Sequence, residues 1–153
     1  MKTLLDPEDH VEVIARLRRV SPDSPRRWGR MTAHEMICHL ADAFEAMCGV
    51  RPAAATGNLF TRTIMCFVAV NFPTPWPHGI RSVPEVDSHL GGTRPAEFAA
   101  DRERLEASTE AFRVRLAPGS EPMTHPFLGD MTRAEWGRWG YRHLDHHARQ
   151  FGV

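Results

Sequence analysis

Apolar residues recur at helical spacing in four segments of the chain, each bounded by capping or breaking residues. The first follows Asp6-Pro7, a cap and a first-turn proline, and runs to about Val20 with Val13, Ile14, Leu17 and Val20 on one face. Ser21-Pro22-Asp23-Ser24-Pro25 breaks it. The second opens with the capping box Thr32-Ala33-His34-Glu35 and ends near Gly49, with a stripe of Met36, Leu40, Ala43, Phe44 and Met47. The third follows Pro95 and carries Phe98, Leu105, Phe112 and Leu116 until Pro118-Gly119 stops it. The fourth opens with a second capping box, Thr132-Arg133-Ala134-Glu135, and runs almost to the last residue.

Residues 51–93 connect the second segment to the third and are too many for an ordinary loop. Leu59 to Phe72 predicts a further helix there, and the proline- and glycine-rich stretch from Pro73 to Gly92 predicts an irregular arm over the surface. No segment alternates as a strand does. Short connections make the first and second helices antiparallel, and likewise the third and fourth. The long crossover leaves the second and third free to run parallel. The expectation is an all-α, up-down-down-up four-helix bundle with an extra helix in its crossover, formed as a single domain over residues 1–153.

Composition narrows the function classes. Lysine plus arginine equals aspartate plus glutamate at 19 each, so no basic footprint points to nucleic acid or an acidic membrane. Basic charge is nearly all arginine, with Lys2 the only lysine. Cys38, Cys48 and Cys66 form no C-x-x-C pair and are odd in number, which fits free thiols in a reducing cytoplasm. The first residues turn acidic at once and lack an apolar signal region, and the run Ile64 to Phe72 is too short to span a bilayer.

Nine histidines make close pairs unremarkable, so position on the helix has to separate them. At about 100° per residue, Trp136, Gly140, His143, His147 and Phe151 fall on one narrow stripe with Leu144 on its flank. His143 and His147 therefore face the core, His146 lies to one side and Asp145 faces nearly opposite. Burying an unpaired ring costs about 1–3 kcal/mol, and i,i+4 spacing lets both imidazoles reach one ion. His39 sits at the edge of the second helix's stripe, early in a helix that runs antiparallel to the fourth, so it can meet them at the same height. The alternative is three core histidines satisfied by carbonyls or carboxylates, with Asp42 available to His39.

The fourth helix and its approach read His125-Pro126-Phe127-Leu128-Gly129, Glu135-Trp136-Gly137, then Arg142-His143-Leu144-Asp145-His146-His147-Ala148-Arg149-Gln150-Phe151-Gly152. With Met36-Ile37-Cys38-His39-Leu40-Ala41-Asp42, this resembles a bacterial branch of the DinB-like superfamily, in helix order over nearly the whole chain. The resemblance implies the same bundle, often a homodimer, with a three-histidine metal site open to a cleft. The family's second-helix ligand falls on His39 and its fourth-helix pair on His143 and His147. It also implies a function: metal-dependent transfer to or from a small-molecule substrate using a small cellular thiol. A metal-dependent hydrolase and a non-catalytic metal- or ligand-binding bundle are the alternatives.

Three neutral imidazoles with a position left open are the donor set of a catalytic ion rather than a closed structural one. They suit zinc, nickel or iron, and availability favours zinc. Asp42 and Gln150, each one turn past a histidine, are candidates to orient the ligands, against a role as ordinary helix-surface polar groups. Arg102 is a candidate anion anchor or a snorkelling surface arginine. His125 is expected to order its loop rather than to ligate, and His34 to be solvated. Cys38 points well away from His39 on the helix, which argues against a cysteine ligand or nucleophile. Trp76, in the crossover arm, is the candidate cleft wall.

Overall fold

The computed structural model describes residues 1–80 and 82–153; position 81, inside the expected irregular arm, lies outside the described residues. Five helices follow the sequence pattern: α1 (Pro7–Arg18), α2 (Ala33–Met47), α3 (Cys66–Asn71), α4 (Phe98–Arg115) and α5 (Arg133–Gln150). The caps are those the sequence advertises. Asp6 accepts from the Glu8 amide, and both Thr32 and Thr132 form complete capping boxes with Glu35 and Glu135. Each such cap stabilises its helix by about 1 kcal/mol. Glu97 caps α4 through the Ala100 amide, a role the sequence pattern did not single out. The chain is all-α among its described residues apart from a two-residue antiparallel bridge, Thr124–His125 with Gly129–Asp130. Among the described residues no helix is long and apolar enough to cross a membrane.

The segment expected as one helix from Leu59 to Phe72 divides in two. Thr61–Met65 is a π-helical stretch and Cys66–Asn71 continues as α3. Asn58 and Thr61 exchange side-chain to backbone hydrogen bonds at 3.0 and 2.9 Å, which fixes the entry turn. Among its described residues the arm that follows is irregular, as expected, except for a 3-10 turn at Pro84–Val86.

α2 is more deeply buried than its five-residue stripe suggests. Ile37, Cys38, His39, Ala41 and Asp42 are also buried, because α4, α5 and the Pro84–Val86 turn each cover a different side of it. Against α4, the Phe44 and Phe112 rings meet edge to face at 5.1 Å. Against α5, Phe44 meets Trp139 at 5.8 Å. Burying a side chain of this size contributes about 1.5–3 kcal/mol. α1 packs on α5, where Arg16 pairs with Asp145 at 2.7 Å and Tyr141 donates to Glu12 at 2.8 Å. Asp145 was expected to face solvent; it does leave the core, but into this ion pair.

The segment before α1 also belongs to the core. Leu4 is fully buried, and its amide donates to the Gly137 carbonyl at 2.9 Å. A Cβ on Gly140 would stand 2.6 Å from Leu4 Cδ1 and 3.0 Å from Phe112 Cε1. Two glycines in α5 thus open a groove for the N-terminal segment, at a cost of about 1 kcal/mol each in helix propensity.

Candidate metal centre

α2 and α5 bring His39, His143 and His147 together. Their ring centroids form a nearly equilateral triangle with sides of 5.3, 5.0 and 5.2 Å. One nitrogen from each ring lies within 4.8 Å of the others. His39 and His147 are buried, while His143 is half-buried and has its Nδ1 sealed from solvent without a hydrogen-bond partner.

Groups outside the triangle fix how two of the rings are protonated. His39 Nδ1 lies 2.8 Å from the Val86 carbonyl, which can only accept, so Nδ1 carries the proton and Nε2 presents a lone pair inward. Gln150 donates its amide to the Trp28 carbonyl at 2.9 Å, which turns its own carbonyl toward His147 Nδ1 at 2.7 Å. His147 therefore donates through Nδ1 and also presents Nε2 inward. His39 Nε2 and His143 Nε2 are 3.3 Å apart. His143 can supply at most one proton between two converging lone pairs, or else adds a third lone pair. Either way the interior is short of positive charge, and a cation corrects that.

Burial pushes all three histidines below the ordinary imidazole range, and for His143 the neighbouring rings of His147 and His39 push further. They stand neutral near pH 7, as metal ligands must. The residues present therefore fit a divalent ion with an imidazole donor set.

The second candidate orienting residue has another task. Asp42 does not touch His39: it accepts from Arg104, from Arg51 at 2.9 Å, and from the Thr93 amide and hydroxyl at 2.6 and 2.7 Å. Asp42 thus ties the crossover arm to α2, and the arm supplies Val86 as the partner of His39. A backbone carbonyl 47 residues away leaves no mark in the residue pattern.

The other candidates sort as follows. Arg102 donates to the Arg18 and Val20 carbonyls at 3.3 Å and lies over Phe98, so it joins helices rather than lining a cleft. His125 Nδ1 accepts from the Phe127 and Leu128 amides at 3.1 Å and orders its loop; burial against Trp136 and Trp139 drops its pKa to about 4. His34 is only partly solvated. Its Nε2 sits 2.7 Å from Asp101 Oδ2, because α4 begins beside the first turn of α2. His146 has a pKa lowered to about 4 by burial and then by the nearby His78.

A cleft of about 500 Å³ opens beside the triangle, lined by Arg16, Trp28, Trp76, His78, Arg142 and His146 among others. Trp28 stacks on His78 at 3.9 Å, and Arg142 lies over Trp76 while donating to the Phe72 and Thr74 carbonyls. The three histidines do not line this cleft. One layer separates them from it: Trp76 packs 5.9 Å from His143, and His146 packs 5.1 Å from His147. Trp76 does wall a cleft, as expected, by standing between it and the histidines.

Residues 9–151 match the family described as the DinB superfamily. The chain belongs to the DinB superfamily. No curated protein and no solved structure matches it. Superfamily membership agrees with the all-α fold and with a histidine cluster able to hold an ion.

Proposed function

We propose that this DinB protein binds one divalent metal ion, zinc by availability, through His39, His143 and His147. We propose further that it uses the ion in a transfer reaction between a small cellular thiol and a small-molecule substrate. One observation carries the metal: two, or three, imidazole lone pairs converge because Val86 and Gln150 hold the protons on the far side of the rings. An ion held there would polarise a carbonyl or lower the pKa of a thiol or water that reaches it. Trp76 and His146 exclude bulk water from the triangle, and Arg142 ties the crossover arm to the cleft wall through the Phe72 and Thr74 carbonyls. The thiol half of the reading rests on superfamily membership.

The helix path belongs to the same reading. His39 faces His147 while Phe44 faces Trp139, so α2 and α5 run oppositely. His34 meets Asp101 while Phe44 meets Phe112, so α2 and α4 run together. Glu12 with Tyr141 and Arg16 with Asp145 set α1 alongside α5. These contacts support an up-down-down-up bundle in a single domain. The exposed apolar residues Leu59, Phe60, Ile64 and Phe67 of the crossover support a homodimer across that face.

Elemental analysis of tag-free wild type and His143→Ala tests the metal. Loss of about one equivalent of ion in the variant, relative to wild type, is the expected result. A folded wild type that contains no metal and refuses added zinc and nickel overturns the reading. The layer of Trp76 and His146 favours a second reading, a non-catalytic metal binder. Turnover of small thiols with chromogenic electrophiles by the metal-loaded protein decides between the two.

A further inference from the structure

A second set of metal-ligating side chains lies on another face of α2. His34 and Cys38 are one helical turn apart, and Asp101 reaches them from the first turn of α4. One donor atom from each lies within 4.8 Å of the other two. Cys38 and Asp101 are buried, and His34, half-buried, forms the edge that meets solvent. Because Cys38 precedes His39 by one residue, their side chains diverge by about 100°, so the two clusters use different faces of one helix.

We propose that His34, Cys38 and Asp101 form a second metal site, for zinc or a similar borderline-soft divalent ion. Thiolate, imidazole and carboxylate together make a donor set that zinc accepts and that magnesium or calcium does not. The charge of the neighbourhood fits. Asp101 forms no ion pair with arginine or lysine among the described residues, and its one partner of possible positive charge is His34. Arg104, whose charge acts on Cys38, is committed to Asp42 and Glu45. Without an ion, the Cys38 thiol is buried beside the Asp101 carboxylate and keeps its proton. Metal binding exchanges that arrangement for a sulfur–metal bond, with the thiol proton released to solvent. His34, whose Nε2 now faces Asp101 at 2.7 Å, moves its ring proton to Nδ1 and offers Nε2 to the ion. Three protein ligands leave one position on the solvent side, beside His34.

Cobalt(II) titration of the tag-free, chelator-stripped full chain tests the site, because a cysteine thiolate bound to cobalt gives a near-ultraviolet charge-transfer band that imidazole ligands do not. The expected result is a near-ultraviolet band in wild type, lost in both Cys38→Ser and His34→Ala and kept in His143→Ala. His34→Ala removes a half-exposed side chain, so it keeps the test decisive if Cys38→Ser folds poorly by circular dichroism. A wild type without the band overturns the proposal. So does a band that survives in folded Cys38→Ser, which would assign it to Cys48 or Cys66, or one that survives unchanged in folded His34→Ala, which would remove His34 from the ligand set. Loss of metal at the three-histidine site alone leaves the near-ultraviolet band in place, so failure of one site is distinguishable from failure of the other.

Discussion

His147 donates from Nδ1 to the Gln150 side-chain carbonyl at 2.7 Å, and Gln150 in turn donates to the Trp28 carbonyl at 2.9 Å. The pair sits within one turn of α5, yet its orientation comes from the loop before α2. Because the outer hydrogen bond sets the tautomer, Gln150 governs the lone pair that a metal would use.

Replacing Gln150 with leucine is therefore expected to weaken zinc binding about 10- to 100-fold while the helix remains intact. Gln150→Glu, which keeps an acceptor beside His147 but loses the donor to the Trp28 carbonyl, should fall between the leucine variant and wild type. Competition with a chromophoric chelator measures both. Equal losses in the two variants would remove Gln150 from the orienting role.

Asp42→Ala is expected to lower stability by about 3 kcal/mol, since the buried carboxylate serves Arg51, Arg104 and Thr93 together. The crossover arm should loosen as well, taking the Val86 carbonyl from His39. Urea denaturation of the metal-free protein reads the first effect. Amide hydrogen exchange at residues 86–93 reads the second.

Acid should destabilise the metal-free protein before any carboxylate is reached. His125 titrates at about 4 when folded and near the ordinary imidazole value, 6.5, when unfolded. Between those values the unfolded chain binds the extra proton, so stability falls as pH drops from about 6.5 to about 4, by about 3 kcal/mol from this residue. Protonation also removes the acceptor that holds the Phe127 and Leu128 amides. His125→Gln keeps an acceptor that does not titrate, and its unfolding midpoint should depend less steeply on pH over that interval.

Gly140→Val should cost about 2 kcal/mol, because its Cβ would stand 2.6 Å from Leu4 Cδ1. Leu4→Ala alone should cost about 2–5 kcal/mol. The double variant should lose less than the sum, because the smaller side chain makes room for the larger. A double-mutant cycle of thermal or urea stabilities checks the coupling.

Phe67→Glu should leave the fold unchanged, since the side chain is exposed. If the apolar face of the crossover joins two copies, the variant should shift the molar mass in light scattering from dimer to monomer.

Much of the helix content and the three histidines were legible in the sequence because caps, apolar spacing and the core stripe of α5 all depend on local residue type. Features that depend on distant chain were not. Asp42 looked like a partner for His39 because it lies one turn away, but Arg51, Arg104 and Thr93 claim it from three other segments. His34 looked solvated in its first turn because nothing local shows that α4 begins beside it with Asp101. The π-helical stretch at Thr61–Met65 and the insertion of Leu4 against Gly140 likewise follow from packing rather than from spacing.

The carbonyl that orients His39 belongs to the main chain of residue 86, so its hydrogen bond does not depend on which side chain stands there. It depends on how many residues carry the chain from α2 to that point. Point substitutions along the arm should leave the ligand correctly tautomerised. A single insertion or deletion between the Asp42–Thr93 tie and Val86 would present the wrong atom. At this site the length of the crossover matters more than its lettering.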